Sequence, residues 1–305
     1  MDTEFLRKIL KSGYVDSGKL FPTEEGTAQG GVISPTLFNC ALDGLETEIQ
    51  KLALTLRRKI GRNPKINIIR YADDFVVTGM TKEILEQEVK PVIERFLETR
   101  GLELSQEKTV LTHIDDGFDF LGWNVRKYKG KLIIKPAKKR TKAFLDSIRD
   151  TIKRNKATKQ EDLIRILNPK IRGWANHHKS ICAKETFKYV DHQIWNCLYR
   201  WATRRHPNKG KKWVSNKYYH MIGNRSRMFA VKTESGSKRE EDNYLKLVKA
   251  SDTKIARHVK VKADLNPFDP EWIAYLEYRL NNRKIKTNDD VTFLLDQTGF
   301  SKGAL

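Results

Sequence analysis

RYADDFVV, residues Arg70 to Val77, places two adjacent carboxylates inside a short apolar run. The flanking residues are rich in Ile, Tyr, Phe and Val. Ile66 to Val77 therefore reads as two short strands around Ala72-Asp73-Asp74. Asp73 and Asp74 then stand at a hairpin tip, where strand backbone fixes their direction. Magnesium takes hard oxygen ligands, usually one or two carboxylates plus substrate phosphates. Two such ions, about 3.5–4 Å apart, clamp both oxygens of a phosphoryl displacement. An Asp-Asp pair alone does not make a metal site. Most are solvated turns, and Asp115-Asp116 reads as one.

Context upstream strengthens the pair. GTAQGGVISP, Gly26 to Pro35, brings glycines 26, 30 and 31, which let backbone approach a ligand closely, and the two-way amide of Gln29. Ser34-Pro35 then suits a helix start, with Ser34 as cap and Pro35 at the first helical position. A helix N-terminus favours phosphate. Leu37, Phe38, Ala41, Leu42, Leu45 and Ile49 continue as a helical stripe.

The 305 residues are 39% apolar, enough for a core, and their length suits two domains or one large one. Lys and Arg number 59 against 38 Asp and Glu, a net charge of +21. Such an excess calls for a polyanionic partner, nucleic acid or an anionic membrane. No run approaches the roughly 18 apolar residues of a membrane span, and MDTEFLRKIL lacks the form of a signal peptide. Nucleic acid leads, with no membrane partner and no secretion. Cys40, Cys182 and Cys197 form no CxxC pair; they read as small buried hydrophobes in a reducing compartment.

The charge is concentrated. Residues 1–125 carry 16 basic and 20 acidic residues, residues 126–217 carry 27 and 6, and residues 218–305 carry 16 and 12. The middle block alone nets +21, which equals the whole excess. The shift marks a domain boundary near residues 126–136, with Pro136 as punctuation. In the first block, Thr81 to Arg100 reads as a helix capped by Thr81 and stopped by Gly101. Thr109 to Ile114 and Phe118 to Val125 read as a hairpin around Asp115-Asp116-Gly117, and a second hairpin turns at Lys129-Gly130. In the second block, Arg140 to Lys153, Gln160 to Asn168 and Phe187 to Arg204 show helical spacing; Asn168-Pro169 should break the second and His206-Pro207-Asn208 end the third. Glu234 to Asp242 reads as an exposed loop.

GTAQGGVISP, RYADDFVV, GLELSQEKT (Gly101 to Thr109) and FDFLGWNV (Phe118 to Val125) follow one another in the order of a reverse transcriptase palm. The whole chain resembles group II intron-encoded reverse transcriptase/maturases. LNPKIRGWANHHKS and WATRRHPNKGKKWVSNKYY are similar to the family's maturase-specific thumb. The resemblance implies an α+β fold. A partial palm, an antiparallel sheet with helices, would span 1–134. A helical thumb/maturase domain would span 135–217. An extension resembling the DNA-binding region would span 218–305, without the HNH endonuclease.

Function follows by the same resemblance. Tyr71, Ala72, Asp73 and Asp74 would be the catalytic box, with Asp73 and Asp74 as ligands for Mg2+, or Mn2+ in its place. Lys108 would be a general acid toward pyrophosphate; a plain surface lysine is the other reading. Gln29, Gly30 and Gly31 would meet the templating pair or incoming nucleotide. Phe120, Leu121, Gly122 and Trp123 would form the primer grip, although Trp123 also fits a core. The family's remaining catalytic Asp and its fingers would lie upstream of Met1, so the chain alone is expected to be inactive. Its partners would be group II intron RNA, an RNA template with a DNA primer, a DNA target and a separate N-terminal fingers/palm fragment. The location would be the cytoplasm of a bacterium, or an organelle.

The basic block interleaves aromatics with cations. Lys138, Lys139, Arg140, Arg172, Lys209, Lys211 and Lys212 are the RNA-binding candidates. Trp195, Tyr199 and Trp201 read mostly as core. His177-His178, beside Trp174, are candidates for RNA contact. Two functions remain open: a polymerising enzyme, or an RNA-binding maturase module without catalysis that promotes intron folding and splicing.

Overall fold

The computed structural model describes residues 3–11, 13–16, 18–21, 33–233, 243–257, 261–262, 265–266 and 269–281. Contacts divide the chain into two units, Met1–Thr112 and His113–Leu305. Both mix helices with antiparallel strands. No described helix is long and apolar enough to cross a membrane.

In the first unit, helix α1 (Thr3–Lys11) precedes a short hairpin of β1 (Tyr14–Asp16) and β2 (Lys19–Phe21). The apolar stripe then forms two helices, α2 (Ser34–Ala41) and α3 (Leu45–Ile60). Gly44, at φ 91°, divides them, a backbone that glycine adopts without a Cβ penalty. Ser34 is not the cap. Ile33 holds that position, and Ser34 opens the helix. Strands β3 (Asn67–Tyr71) and β4 (Asp74–Thr78) pair as the expected hairpin. A π-helical turn, Ile84–Val89, runs into α4 (Lys90–Glu98). Pro91 has no N–H to offer the preceding turn, and the backbone widens just before it. The Thr81 hydroxyl accepts from the Ile84 N–H at 3.4 Å, as the sequence suggests. Leu42, Leu45, Ile49, Leu56, Val89, Ile93, Phe96 and Leu97 close one core.

The second unit begins with a three-stranded meander, β5 (Phe118–Phe120), β6 (Trp123–Tyr128) and β7 (Lys131–Pro136). Both turns are of the primed kind, with positive φ at Leu121 and Gly122 and again at Lys129 and Gly130. The first of these corrects the sequence reading. Phe118 to Val125 is not one strand but two, folded back at Leu121-Gly122. That turn pairs β5 with β6, so Thr109 to Ile114 forms no strand. Among the described residues its one bond to the meander is the Ile114 carbonyl accepting from the Lys127 N–H at 2.9 Å, while the His113 carbonyl serves a local turn, accepting from the Asp116 and Gly117 N–H groups.

Helices α5 (Lys138–Arg154), α6 (Gln160–His178), α7 (Lys184–Arg204) and α8 (Lys211–Tyr218) follow. They are succeeded by β8 (Tyr219–Ile222), β9 (Arg225–Lys232) and β10 (Tyr244–Lys246), joined in the order β10-β9-β8, and by α9 (Ile273–Asn281). Leu163, Ile164, Leu167, Ile171 and Ala175 of α6 are wholly removed from water. The expected break at Asn168-Pro169 does not occur; α6 runs on to His178. Pro169 faces solvent, so water can satisfy the carbonyl that loses its helical donor. Asn168 points inward. Its Nδ2 donates to the Lys246 carbonyl at 3.1 Å and its Oδ1 accepts from the Val248 N–H at 2.8 Å.

Trp201 is buried, and Trp195 stacks on Tyr199 at 5.2 Å against the same core. The cysteines depart from expectation: Cys40 and Cys182 are exposed and Cys197 is half-buried. Cys197 packs against the edge of the second unit's core, as a small hydrophobe would, whereas Cys40 and Cys182 face outward. Glu234 to Asp242 falls outside the described residues.

Neighbouring substitutions in α6 should act in opposite directions. Asn168→Ala strands two backbone groups and should lower the unfolding free energy by about 2–3 kcal/mol. Pro169→Ala restores a donor in the helix interior and should raise it, by up to about 3 kcal/mol. Urea denaturation of both variants measures the contrast.

Candidate active-site hairpin and nucleic-acid interface

In the hairpin, Tyr71 pairs with Asp74, which leaves Ala72 and Asp73 as a two-residue turn. Ala72 has φ 52°, uncommon for a residue with a Cβ. Asp73 and Asp74 are both exposed, and Tyr71 is 66% exposed. Alternation puts Ile69, Tyr71, Asp74 and Val76 on one face. Ile68, Phe75 and Val77, on the other, pack against the first core. Arg70 shares that inner face. Its Nε lies 2.6 Å from Glu46 Oε1 on α3, and its Nη1 donates to Asn39 Oδ1 on α2 at 3.0 Å. The carboxylate tip is thus held by an apolar face and by one guanidinium. The sequence does not single out Arg70; a charged residue at an inward strand position is its only signal.

Among the described residues no three His, Cys, Asp or Glu side chains converge, so Asp73 and Asp74 stand as a pair. Lys108 is exposed in the turn after Ser105. Gln29, Gly30 and Gly31 lie outside the described residues.

Within the second unit, the turn Leu121-Gly122 abuts the start of α5 and the end of α6. The Ala137 N–H donates to the Gly122 carbonyl at 3.0 Å. A Cβ on Gly122 would come within 3.7 Å of Arg140 and 3.8 Å of His177. Trp123 is half-buried, 5.7 Å from the His177 ring, and its Nε1 is buried without a partner among the described residues. The structure therefore brings Leu121, Gly122, Trp123 and Arg140 together.

Lys138, Lys139 and Arg140 are exposed in the first turn of α5, which holds no acidic residue. Cations there oppose the helix dipole. The same arrangement recurs at α8, where Lys211 and Lys212 are exposed in the first turn. Beside them Trp213 is 41% exposed, with Lys209 and Lys217 over its ring at 5.5 and 5.0 Å. Desolvation, followed by the charges of Lys217, Arg205 and Lys209, lowers the His206 imidazole. Arg172 is exposed on α6.

The two histidines differ. His177 is exposed, whereas His178 is buried with its ring edge-on to Trp174 at 4.8 Å. His178 is therefore a core residue, and of the two only His177 presents its ring to solvent. Burial, reinforced by His177, pushes its imidazole down to about 4.

Two family descriptions match the chain. The reverse transcriptase (RNA-dependent DNA polymerase) family matches residues 2–125, and the group II intron maturase-specific domain matches residues 141–230. The chain belongs to the group II intron-encoded reverse transcriptase/maturase family. It is similar to protein YkfC of Escherichia coli, 32% identical over 38% of this chain and 36% of that one. It is also similar to the group II intron-encoded protein LtrA of Lactococcus lactis, 23% identical over 48% of this chain and 33% of that one. The chain thus spans about a third of the length of the relatives it matches. The reverse transcriptase match contains the carboxylate hairpin, and the maturase match contains both histidines and the Lys209 to Lys212 cluster.

The buried His178 sets a pH dependence for this maturase-type domain. The native state binds its proton less readily than the unfolded chain, where an imidazole titrates near 6.5. Its contribution should be full above about pH 6.5 and be lost progressively as pH falls toward 4. Urea midpoints across that window should fall for the native sequence and fall less steeply for His178→Phe.

Proposed function

We propose that this chain serves a group II intron ribonucleoprotein, with its basic helical region binding intron RNA and its carboxylate hairpin acting in RNA-directed DNA polymerisation. The observation that carries the reading is the pair of cation-bearing helix starts, α5 and α8, in the block that holds the whole charge excess. Helix N-termini direct N–H groups outward, so lysines there add charge to donors already suited to phosphate. On this reading the first unit is part of a palm, the Leu121-Gly122-Trp123 turn grips a primer, and α5 to α7 form a thumb.

Asp73 and Asp74 suit a divalent cation, Mg2+ or Mn2+: both are hard oxygen donors, both are exposed, and both stand on an anchored turn. Such ions supply charge stabilisation for a phosphoryl displacement when bound. Within the chain, Tyr71 and Ala72 set the turn that aims Asp73. Lys108 offers a proton for departing pyrophosphate. Gln29, Gly30 and Gly31 contact the templating pair or nucleotide. A DNA target and a complementing polypeptide with fingers belong to the same reading.

A second reading is a maturase module that promotes intron folding without polymerising. It is favoured by the charge distribution: residues 1–125 are net acidic, 16 against 20, while 126–217 carry all of the excess.

RNA affinity should fall steeply with salt. Each phosphate neutralised adds about 0.9 to the slope magnitude on duplex and about 0.7 on single strands. Replacing Lys138, Lys139 and Arg140 with Ala should reduce the slope by about 2 to 3. A slope near zero for the native chain would overturn RNA binding.

Polymerisation is tested by extending a DNA primer on an RNA template in Mg2+ with the complementing fingers/palm polypeptide supplied; the chain alone should not extend. Asp73→Ala should abolish extension and Asp74→Ala should reduce it less, both with unchanged RNA affinity. Equal extension by the complemented native chain and the complemented Asp73→Ala variant would remove Asp73 from the chemistry. Faster splicing of an intron RNA with no extension would select the second reading.

A further inference from the structure

A groove of about 640 Å3 runs between α5 and α7, lined by Pro136, Lys138, Lys142, Arg149, Glu185 and Tyr189 among others. Its size is that of a small-molecule site. Spacing explains how it forms. Lys138, Lys142, Leu145 and Arg149 recur at three- and four-residue intervals on α5, and Glu185 and Tyr189 stand one turn apart on α7. Leu145, buried, supplies an apolar floor. Tyr189 is 52% exposed although it belongs to the wall. An aromatic face left open beside cations is a stacking platform for a base.

The charges are arranged in kind. Lys138 and Arg149 are eleven residues apart, about 16 Å along the helix, which leaves room for a nucleoside with a phosphate at either side. Arg149 is held in place, with its Nη1 2.6 Å from Asp146 Oδ1 and its Nη2 3.4 Å from Gln193 Oε1. Asp146 is thereby engaged, and Glu185 is the carboxylate of the groove itself. A carboxylate only accepts hydrogen bonds. Among the bases, guanine alone presents two adjacent donors on its pairing edge, the N1–H and the N2 amino group, to meet both oxygens. The cations suit an anion of either kind; the open Tyr189 face and the Glu185 acceptor, which would repel an acidic side chain, favour a nucleotide over an acidic peptide.

We propose that this groove captures one unpaired guanosine of bound RNA, with the base stacked on Tyr189, its pairing edge on Glu185, and its flanking phosphates on Lys138, Lys142 and Arg149. The inference rests on the RNA-binding reading above and adds a base-selective subsite to it.

The test uses the full chain and a labelled oligouridine with one central residue varied among guanosine, inosine, adenosine and uridine. Guanosine should bind roughly five- to a hundredfold more tightly than uridine, with inosine between them, because it lacks the N2 donor. Tyr189→Leu should remove most of the guanosine advantage. Glu185→Gln should narrow the gap between guanosine and inosine while retaining affinity for a structured intron RNA. Both side chains are exposed, so neither change touches the core. Equal affinity for all four oligomers, or an unchanged guanosine advantage in Tyr189→Leu, would overturn the subsite and leave general RNA binding standing. Failure to bind the intron RNA at low salt would instead overturn the RNA-binding reading, and the subsite with it.

Discussion

Helix α6 is the element on which the second unit depends. Its four large buried aliphatics, Leu163, Ile164, Leu167 and Ile171, each contribute about 1.5–3 kcal/mol by leaving water. Their sum exceeds the roughly 3 kcal/mol that a proline costs inside a helix, so α6 continues through Pro169. Two side-chain amides then fix what packs around it. Gln160 Nε2 donates to the Tyr218 and Ala230 carbonyls at 2.9 and 3.1 Å, and Asn168 holds the chain on either side of Leu247. An apolar seam sets the position of the small sheet, and the amides set its register.

What was legible in the sequence was local. The β3–β4 hairpin could be read because its alternation and its turn lie within twelve residues, and its inner face needs only to be apolar. The helix starting near Thr81 could be read because a hydroxyl cap and a glycine stop act over one turn. Pro169 was misleading because a proline rule weighs one residue, whereas the outcome depends on burial along the whole helix. Thr109 to Ile114 has a strand's composition but lost its partner to the Leu121-Gly122 turn. A strand is a property of two segments, and only one of them was in view. His178 looked like its neighbour in sequence, yet one step of about 100° around a helix separates solvent from core.

The candidate sites divide in the same way. Asp73 and Asp74 were visible as a motif, and their anchoring by Arg70 was not, since Glu46 and Asn39 lie on other helices. The basic helix starts were visible as charge runs. The groove between α5 and α7 was not, because it joins residues 136–149 to residues 185–189, and no window of sequence contains both. Chemistry that rides on one turn can be read directly; chemistry made between helices requires the packing first.

The crowding of Lys138, Lys139 and Arg140 at the start of α5 has a further meaning. Placed at the positive end of a helix, these cations repel both the dipole and one another. The free protein therefore holds a conflict that a bound polyanion resolves. On the RNA-binding reading, part of the attraction for phosphate would be relief of strain already present, rather than contact newly made. Neutral residues would give a more stable helix and a poorer receptor. The first turn of α5 is a place where the chain has exchanged its own comfort for usefulness, the usual direction of compromise between stability and activity.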